Sequence, residues 1–261
     1  MSVAVSYRLF SQNLTRSMSV TANQAPVKLE SEYYQKHASS ITSLEEFLAD
    51  TRLFRFAMTA FGLADLAYAK GYIRKILEEG ISDPESLANR TNDPRITEFA
   101  RTFDFESFGE DTMRRTATGE EVITRYIRQT LEVEAGEQDG DGVRLALYFE
   151  RQAPEIRTAF DILADSALLE VVRVTLGLPQ AFSAASIQRQ AAVIEDRIDI
   201  ESFKDPEALR AFLVRFTAVW DATEEPLSDP ILALFSPAIQ SAPNVSLDLM
   251  LSLQNIRLGG A

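Results

Sequence analysis

Catalysis needs side chains that titrate or attack, and this sequence offers few of them in a working pattern. Its only histidine is His37. A Ser–His–Asp relay would have to pass through it, and no Gly-x-Ser-x-Gly elbow is present. There is no cysteine, which excludes disulfides, thiolate nucleophiles and cysteine-held metals. The glycine patterns of dinucleotide and P-loop sites are missing. The run Asp139-Gly140-Asp141-Gly142 has the first residues of a calcium loop but not its third acid or its closing glutamate. Asp and Gly favour turns, so it reads as a plain turn. The doublets Glu78-Glu79, Glu120-Glu121 and Glu224-Glu225 sit near helix ends. Adjacent residues on a helix cannot face each other across a cleft as a glycosidase pair must. They read as solvated surface. Arg114, Arg115, Arg125 and Arg128 make a basic cluster suited to an acidic partner or to the chain's own carboxylates. The sequence assigns no catalytic, cofactor-binding or metal-ligating residue, and His37 reads as an exposed helix residue.

The elements that would position any such groups follow from the bulk pattern. With 261 residues, 46% of them hydrophobic and 25% charged, the chain can bury a sizeable core. Its net charge is −13, which repels phosphate backbones and argues against nucleic-acid binding. Residues 1–28 differ, holding Arg8, Arg16 and Lys28 and no acid. That acid-free start lacks the layout of a secretory signal. It has the composition of a transit peptide or of an unfolded export leader, and residues 1–30 are expected to be a mobile tail. No stretch approaches the 18 or so apolar residues of a membrane span.

The central pattern is a repeat. Residues 33–70 align with 148–185 at a constant offset, with identities at Tyr33/Tyr148, Ala38/Ala153, Ile41/Ile156, Leu48/Leu163, Asp50/Asp165, Leu53/Leu168 and Gly62/Gly177. After a short gap, Asp93-Pro94 meets Asp205-Pro206, and Phe99 and Phe103 meet Phe212 and Phe216. The spacing predicts two diverged copies of one helical unit, packed pseudo-symmetrically in an all-α fold. The expected divisions are a tail (1–30), unit 1 (31–118), unit 2 (119–225), and a proline-punctuated segment with an apolar C-terminal helix (226–261).

Local signals agree with helices throughout. Ser43 with Glu46 is a capping box. Asp50 and Asp165 are candidate N-caps for the next helix in each unit, and Gly62 and Gly177 stand where a left-handed C-terminal residue belongs. Asp83-Pro84, Asp93-Pro94, Asp205-Pro206 and Asp229-Pro230 each pair an N-cap acceptor with a proline suited to the first helical position. Ala67–Glu79 reads as a helix stopped by Gly80, Glu120–Glu134 as another, and Ala135–Gly142 as a loop. Leu48, Leu53, Leu163 and Leu168 are expected in the core. The apolar helix over 246–257 either completes that core or docks on a partner.

Four stretches carry a family resemblance: residues 142–165 (GVRLALYFERQAPEIRTAFDILAD), 204–216 (KDPEALRAFLVRF), and the first-unit blocks 48–63 and 69–89. They resemble an uncharacterised family of helical alphaproteobacterial proteins whose genes commonly lie among flagellar genes. The likeness spans roughly residues 30–258, with both halves matched in order. It implies a helical fold and a flagellar context, and it supplies no enzyme activity and no site residues. The resulting expectation is a non-catalytic flagellum-associated assembly or structural protein with protein partners, either cytoplasmic or exported to the flagellum. A cytoplasmic chaperone for a flagellar subunit is the alternative. An enzyme with a site between the two units is a third reading.

Overall fold

The computed structural model describes residues 2–223, apart from Asn92, Thr116 and Ala117. In chain order the helices are α1 (Val3–Gln12), α2 (Leu14–Ala22), α3 (Ala25–His37), α4 (Leu44–Ala49), α5 (Thr51–Ala60), α6 (Lys70–Glu79), α7 (Leu87–Arg90), α8 (Pro94–Thr102), α9 (Phe105–Phe108), α10 (Glu120–Asp139), α11 (Asp141–Gln152), α12 (Ala159–Ala164), α13 (Ser166–Thr175), α14 (Ile187–Arg197) and α15 (Pro206–Thr223). Short 3-10 turns join several of them, and no strand occurs among the described residues. The fold is all-α. The proline-punctuated segment, the Asp229-Pro230 start and the 246–257 helix lie outside the described residues, as does the Glu224-Glu225 doublet.

Two aromatic-rich cores form. The first gathers Tyr34, Phe47, Phe54, Phe99 and Phe103 from α3 to α8, and Val122 from the start of α10 joins it. Phe47 stacks on Phe103 at 5.0 Å, and Phe61 meets Phe99 edge-on at 5.4 Å, the geometries that ring quadrupoles favour. The second core gathers Phe149, Phe203, Leu213 and Phe216 with Ala135 from the far end of α10. The 20-residue helix α10 therefore serves both cores. It packs on α5 on one side and α11 on the other.

The same local geometry recurs at the 115-residue offset. Ser43 accepts from the Glu46 amide at 3.2 Å, and Thr158 accepts from the Asp161 amide at 3.3 Å. Asp50 Oδ1 accepts from the amides of Arg52 and Leu53, and Asp165 Oδ1 from those of Ala167 and Leu168. Each cap of this kind contributes about 1 kcal/mol. The free Oδ2 of each aspartate takes a phenol: Tyr33 donates to Asp50 at 2.9 Å, and Tyr148 donates to Asp165. At the other end of each helix, Leu63 N–H bonds the Met58 carbonyl and Leu178 N–H bonds the Arg173 carbonyl, both 2.9 Å or shorter. Gly62 and Gly177 take φ of +69° and +63° to allow it, a Schellman ending that a Cβ would strain.

The structure corrects several expectations. In place of the tail expected over 1–30, residues 3–30 form α1, α2 and the start of α3. Val3 and Tyr7 are each 1% exposed within the second core, so burial outweighs the polar composition. The stretch 135–142 is not a loop. Ala135 is buried, and Gly136 lies against the Arg144 side chain, where a Cβ would stand 3.0 Å away. α10 runs on to Asp139, and only Gly140, at φ +100°, breaks it from α11. Asp83-Pro84 forms a turn, with Asp83 accepting from the Glu85 amide. The helix starts later, at Leu87, whose amide is taken by Glu79 at 2.6 Å. The helix expected from Ala67 starts instead at Lys70. Leu48, Leu53 and Leu168 are buried, but Leu163 is only half-buried.

Candidate functional site

A cleft of about 680 Å³ lies between the two cores. Gly62, Asp93 and Arg95 line it from the first half, Tyr148, Asp165 and Glu170 from the second, and Gln129 and Glu132 from α10. Like the concavity lined by Glu98, Glu150 and Arg151, it is a place where an interlobe enzyme site could sit. Its carboxylates are already engaged by the protein. Asp93 accepts from the Arg95 guanidinium at 2.8 Å and caps α8 through the Arg95 amide. Arg95 in turn donates to the Gly62 carbonyl at 2.6 Å, fixing the end of α5. Asp165 holds two amides and Tyr148. Glu170 holds Arg173, and Asp141 holds Arg144. Burial, reinforced by the neighbouring Asp165 charge, pushes the Tyr148 phenol well above its ordinary range. Its proton stays on the oxygen and is donated to Asp165, so Tyr148 acts as an orienting donor.

Below the cleft lies a charge network that no sequence pattern announced. Glu132, 1% exposed, accepts from Arg128 Nε at 2.8 Å and from Arg151 Nε and Nη2 at 2.8 and 2.9 Å. Arg128 also donates to the Leu147 carbonyl at 2.8 Å, and Arg151 to Gln129 Oε1 at 3.0 Å. This network ties α10 to α11. Arg128 and Glu132 stand four residues apart and look like a surface pair in sequence. Only the packing of α2, α5 and α11 around α10 buries them.

The basic residues picked out by sequence are dispersed into separate contacts. Arg114 pairs with Asp111 at 3.2 Å, and Arg115 lies over the Phe108 ring at 3.7 Å. Arg125 pairs with Glu98 at 2.6 Å and with Glu121. Arg128 is buried and pairs with Glu132, so Arg114, Arg125 and Arg128 each meet the chain's own carboxylates. Of the acidic doublets, Glu78 pairs with Arg74 and Glu79 with Lys75. His37 is half-buried rather than exposed, its ring stacked 4.3 Å from Tyr33. Its counterpart Gln152 bonds the Tyr148 hydroxyl at 3.4 Å, so both residues brace the tyrosine of a Tyr–Asp pair. No cluster of three potential metal ligands occurs among the described residues, and no described helix is long and apolar enough to cross a membrane.

Residues 60–209 match the family described as a protein of unknown function, DUF1217. The chain belongs to the DUF1217 family. The matched span runs from the end of α5 into α15, so it takes in the cleft and the Arg128–Glu132–Arg151 network. The chain is also similar to a protein from Agrobacterium tumefaciens whose crystal structure is known. The two are 44% identical with a TM-score of 0.79, over 87% of this chain and 96% of that one. Nothing among the curated proteins matches.

Proposed function

We propose that this DUF1217 protein is a non-catalytic assembly or structural protein of the flagellar system, acting through protein partners. The observation that carries the partner reading is the surface of the first three helices. Val5, Leu9, Val20 and Leu29 are all about half exposed or more, on a segment that is basic while the rest of the chain is strongly acidic. Exposed apolar side chains on a charge-distinct segment are the usual mark of a protein contact. The engagement of the cleft carboxylates by the protein's own donors speaks for a scaffold over an enzyme. The flagellar context rests on the family resemblance of the sequence. We further infer that the two halves are diverged copies related by pseudosymmetry, which the recurring caps, Tyr–Asp pairs and glycine endings support.

The test is to tag the protein in motile cells of its host, delete its gene in parallel, and fractionate cytosol, medium and purified filaments. Loss of motility on deletion, with the tagged protein in filaments or medium, is expected for an exported assembly component. Recovery only in the cytosol, bound to an unassembled subunit, would favour the chaperone alternative. Normal motility in the deletion strain would overturn the flagellar assignment.

A further inference from the structure

α1 and α2 are separated by one residue. Asn13 has φ −125° and ψ 33°, and its amide bonds the Phe10 carbonyl three residues back, not four. The next turn is regular, since Ser17 N–H bonds the Asn13 carbonyl at 2.9 Å. The two pieces seat on different parts of the molecule. α2 packs on α10, whereas α1 crosses to α11 and α15. There the amides of Val3 and Ala4 both donate to the Asp221 carboxylate, at 2.7 and 3.1 Å. Val3 fits against Gly142, where a Cβ would stand 2.9 Å from its side chain and 2.8 Å from the Trp220 ring.

The inward residues of both pieces are Val3, Ser6, Tyr7, Phe10, Leu14, Ser17, Met18 and Thr21, with half-buried Ala4, Ser11 and Ala22 along one edge. At about 100° per residue they fall on one stripe roughly 160° wide. The kink at Asn13 therefore preserves the helical phase, and restoring its i−4 bond would give one continuous helix of about 30 Å. Seating α1 also encloses the Ser6 hydroxyl without a hydrogen-bond partner. An enclosed, unpaired hydroxyl opposes the seating and lowers the cost of release.

We propose that α1 is an exchangeable helix: Asn13 straightens, and α1 of one copy occupies the α11/α15 seat of a second copy, reciprocally. The occupant is a second copy because the seat is shaped for α1 itself. The exchanged dimer restores the packing and hydrogen bonds that release breaks, and adds the helical hydrogen bond missing at Asn13. Terminal elements on short hinges are the usual units of such swaps. This inference does not depend on the flagellar reading.

The full chain and three variants would be sized by light scattering across about 10 µM to 1 mM. Asn13→Ala favours the continuous helix, and its dimerisation midpoint should fall at least ~10-fold below that of the unaltered chain. Asn13→Gly should not lower it. Asn13→Ala combined with Gly142→Leu, which fills the seat, should be monomeric with the helical circular dichroism retained. If that double variant does not fold, an Ala4→Cys/Asp221→Cys pair in the Asn13→Ala background must form its disulfide between chains in the dimer and within one chain in the monomer, as read on a non-reducing denaturing gel. A monomeric Asn13→Ala at 1 mM would overturn the proposal. So would a dimer indifferent to Gly142→Leu, or one whose engineered disulfide closes within each chain.

Discussion

Removing the Glu132 carboxylate should be among the most damaging single changes outside the aromatic cores. Glu132 is 1% exposed and takes three guanidinium hydrogen bonds of 2.8–2.9 Å. Glu132→Ala leaves the Arg128 and Arg151 charges together with only the more distant Glu150 carboxylate, 3.8 Å from Arg128, beside them, and Arg128 is 7% exposed. Breaking a buried pair in this way costs about 3–5 kcal/mol, a fifth or more of the ~5–15 kcal/mol that stabilises a typical domain. At roughly 2–4 °C per kcal/mol for a chain of this size, the melting temperature should fall by about 6–20 °C. Urea unfolding at pH 7, followed by circular dichroism, measures the loss directly. Glu132→Gln keeps one acceptor oxygen and should lose less. The combined change Arg128→Met, Glu132→Leu, Glu150→Gln, Arg151→Met also removes the Glu150 carboxylate 3.8 Å from Arg128, so the charges go together, and it should return to within about 1–2 kcal/mol of the unaltered protein. A cost below about 1 kcal/mol for Glu132→Ala would refute the claim that this network is desolvated and holds α10 to α11.

The matched positions predict matched effects. Asp50→Ala and Asp165→Ala each remove a double amide cap and a phenol acceptor. Each should cost about 1–3 kcal/mol, with Asp165 the larger because it is buried and Asp50 is not. Leu48→Ala should cost about 2–5 kcal/mol, and Leu163→Ala distinctly less because it is half-buried; denaturant midpoints of both variants check the order. Burial holds the Glu150 carboxyl above its ordinary range despite the nearby Arg128 and Arg210 charges. The folded state therefore binds that proton more tightly than the unfolded chain. The penalty for ionised Glu150 is full at neutral pH, and it is relieved as pH falls through the raised pKa toward the unfolded value of about 4.3. Glu150→Gln should thus stabilise at pH 7 and have little effect near pH 4, which paired melts at the two pH values would show.

The helical architecture was legible because its signals are local. Ser43, Asp50, Asp93, Asp165 and Asp205 announce helix starts by residue type, and Gly62, Gly80 and Gly177 announce endings, each at positive φ. The repeat made those readings check one another. What failed was composition used in place of periodicity. Residues 1–30 look like a polar leader, yet Val3, Tyr7, Phe10, Leu14 and Met18 are spaced four, three, four and four apart. The 135–142 run looks like a turn, yet Ala135 belongs to a core and only Gly140 leaves the helix. The charge network was illegible for another reason. Whether Arg128 and Glu132 form a solvated pair or a buried one depends on helices 19 to over 100 residues away in sequence, which no local pattern encodes.

The position of α1 and α10 also decides whether the halves are independent, and the structure argues that they are not. Division at 118/119, the boundary the repeat suggests, cuts through both cores. A fragment of residues 1–118 loses Val122, which is fully buried in the first core, and loses the α10 surface against which α5 packs. A fragment of residues 119–261 keeps α10 and α15 but loses Val3 and Tyr7 from the second core, and Asp221 loses both of its amide donors. Burying side chains of this size is worth about 1.5–3 kcal/mol each, comparable to much of the net stability of a small domain. Each fragment alone should therefore lack a cooperative thermal transition. An equimolar mixture should recover helical circular dichroism and a single melt, because α1 and α10 can then reach their seats across the break. A cooperative melt from either fragment by itself would show that the two halves are separate folding units, and that the crossing of α1 onto α11 and α15 is incidental to stability.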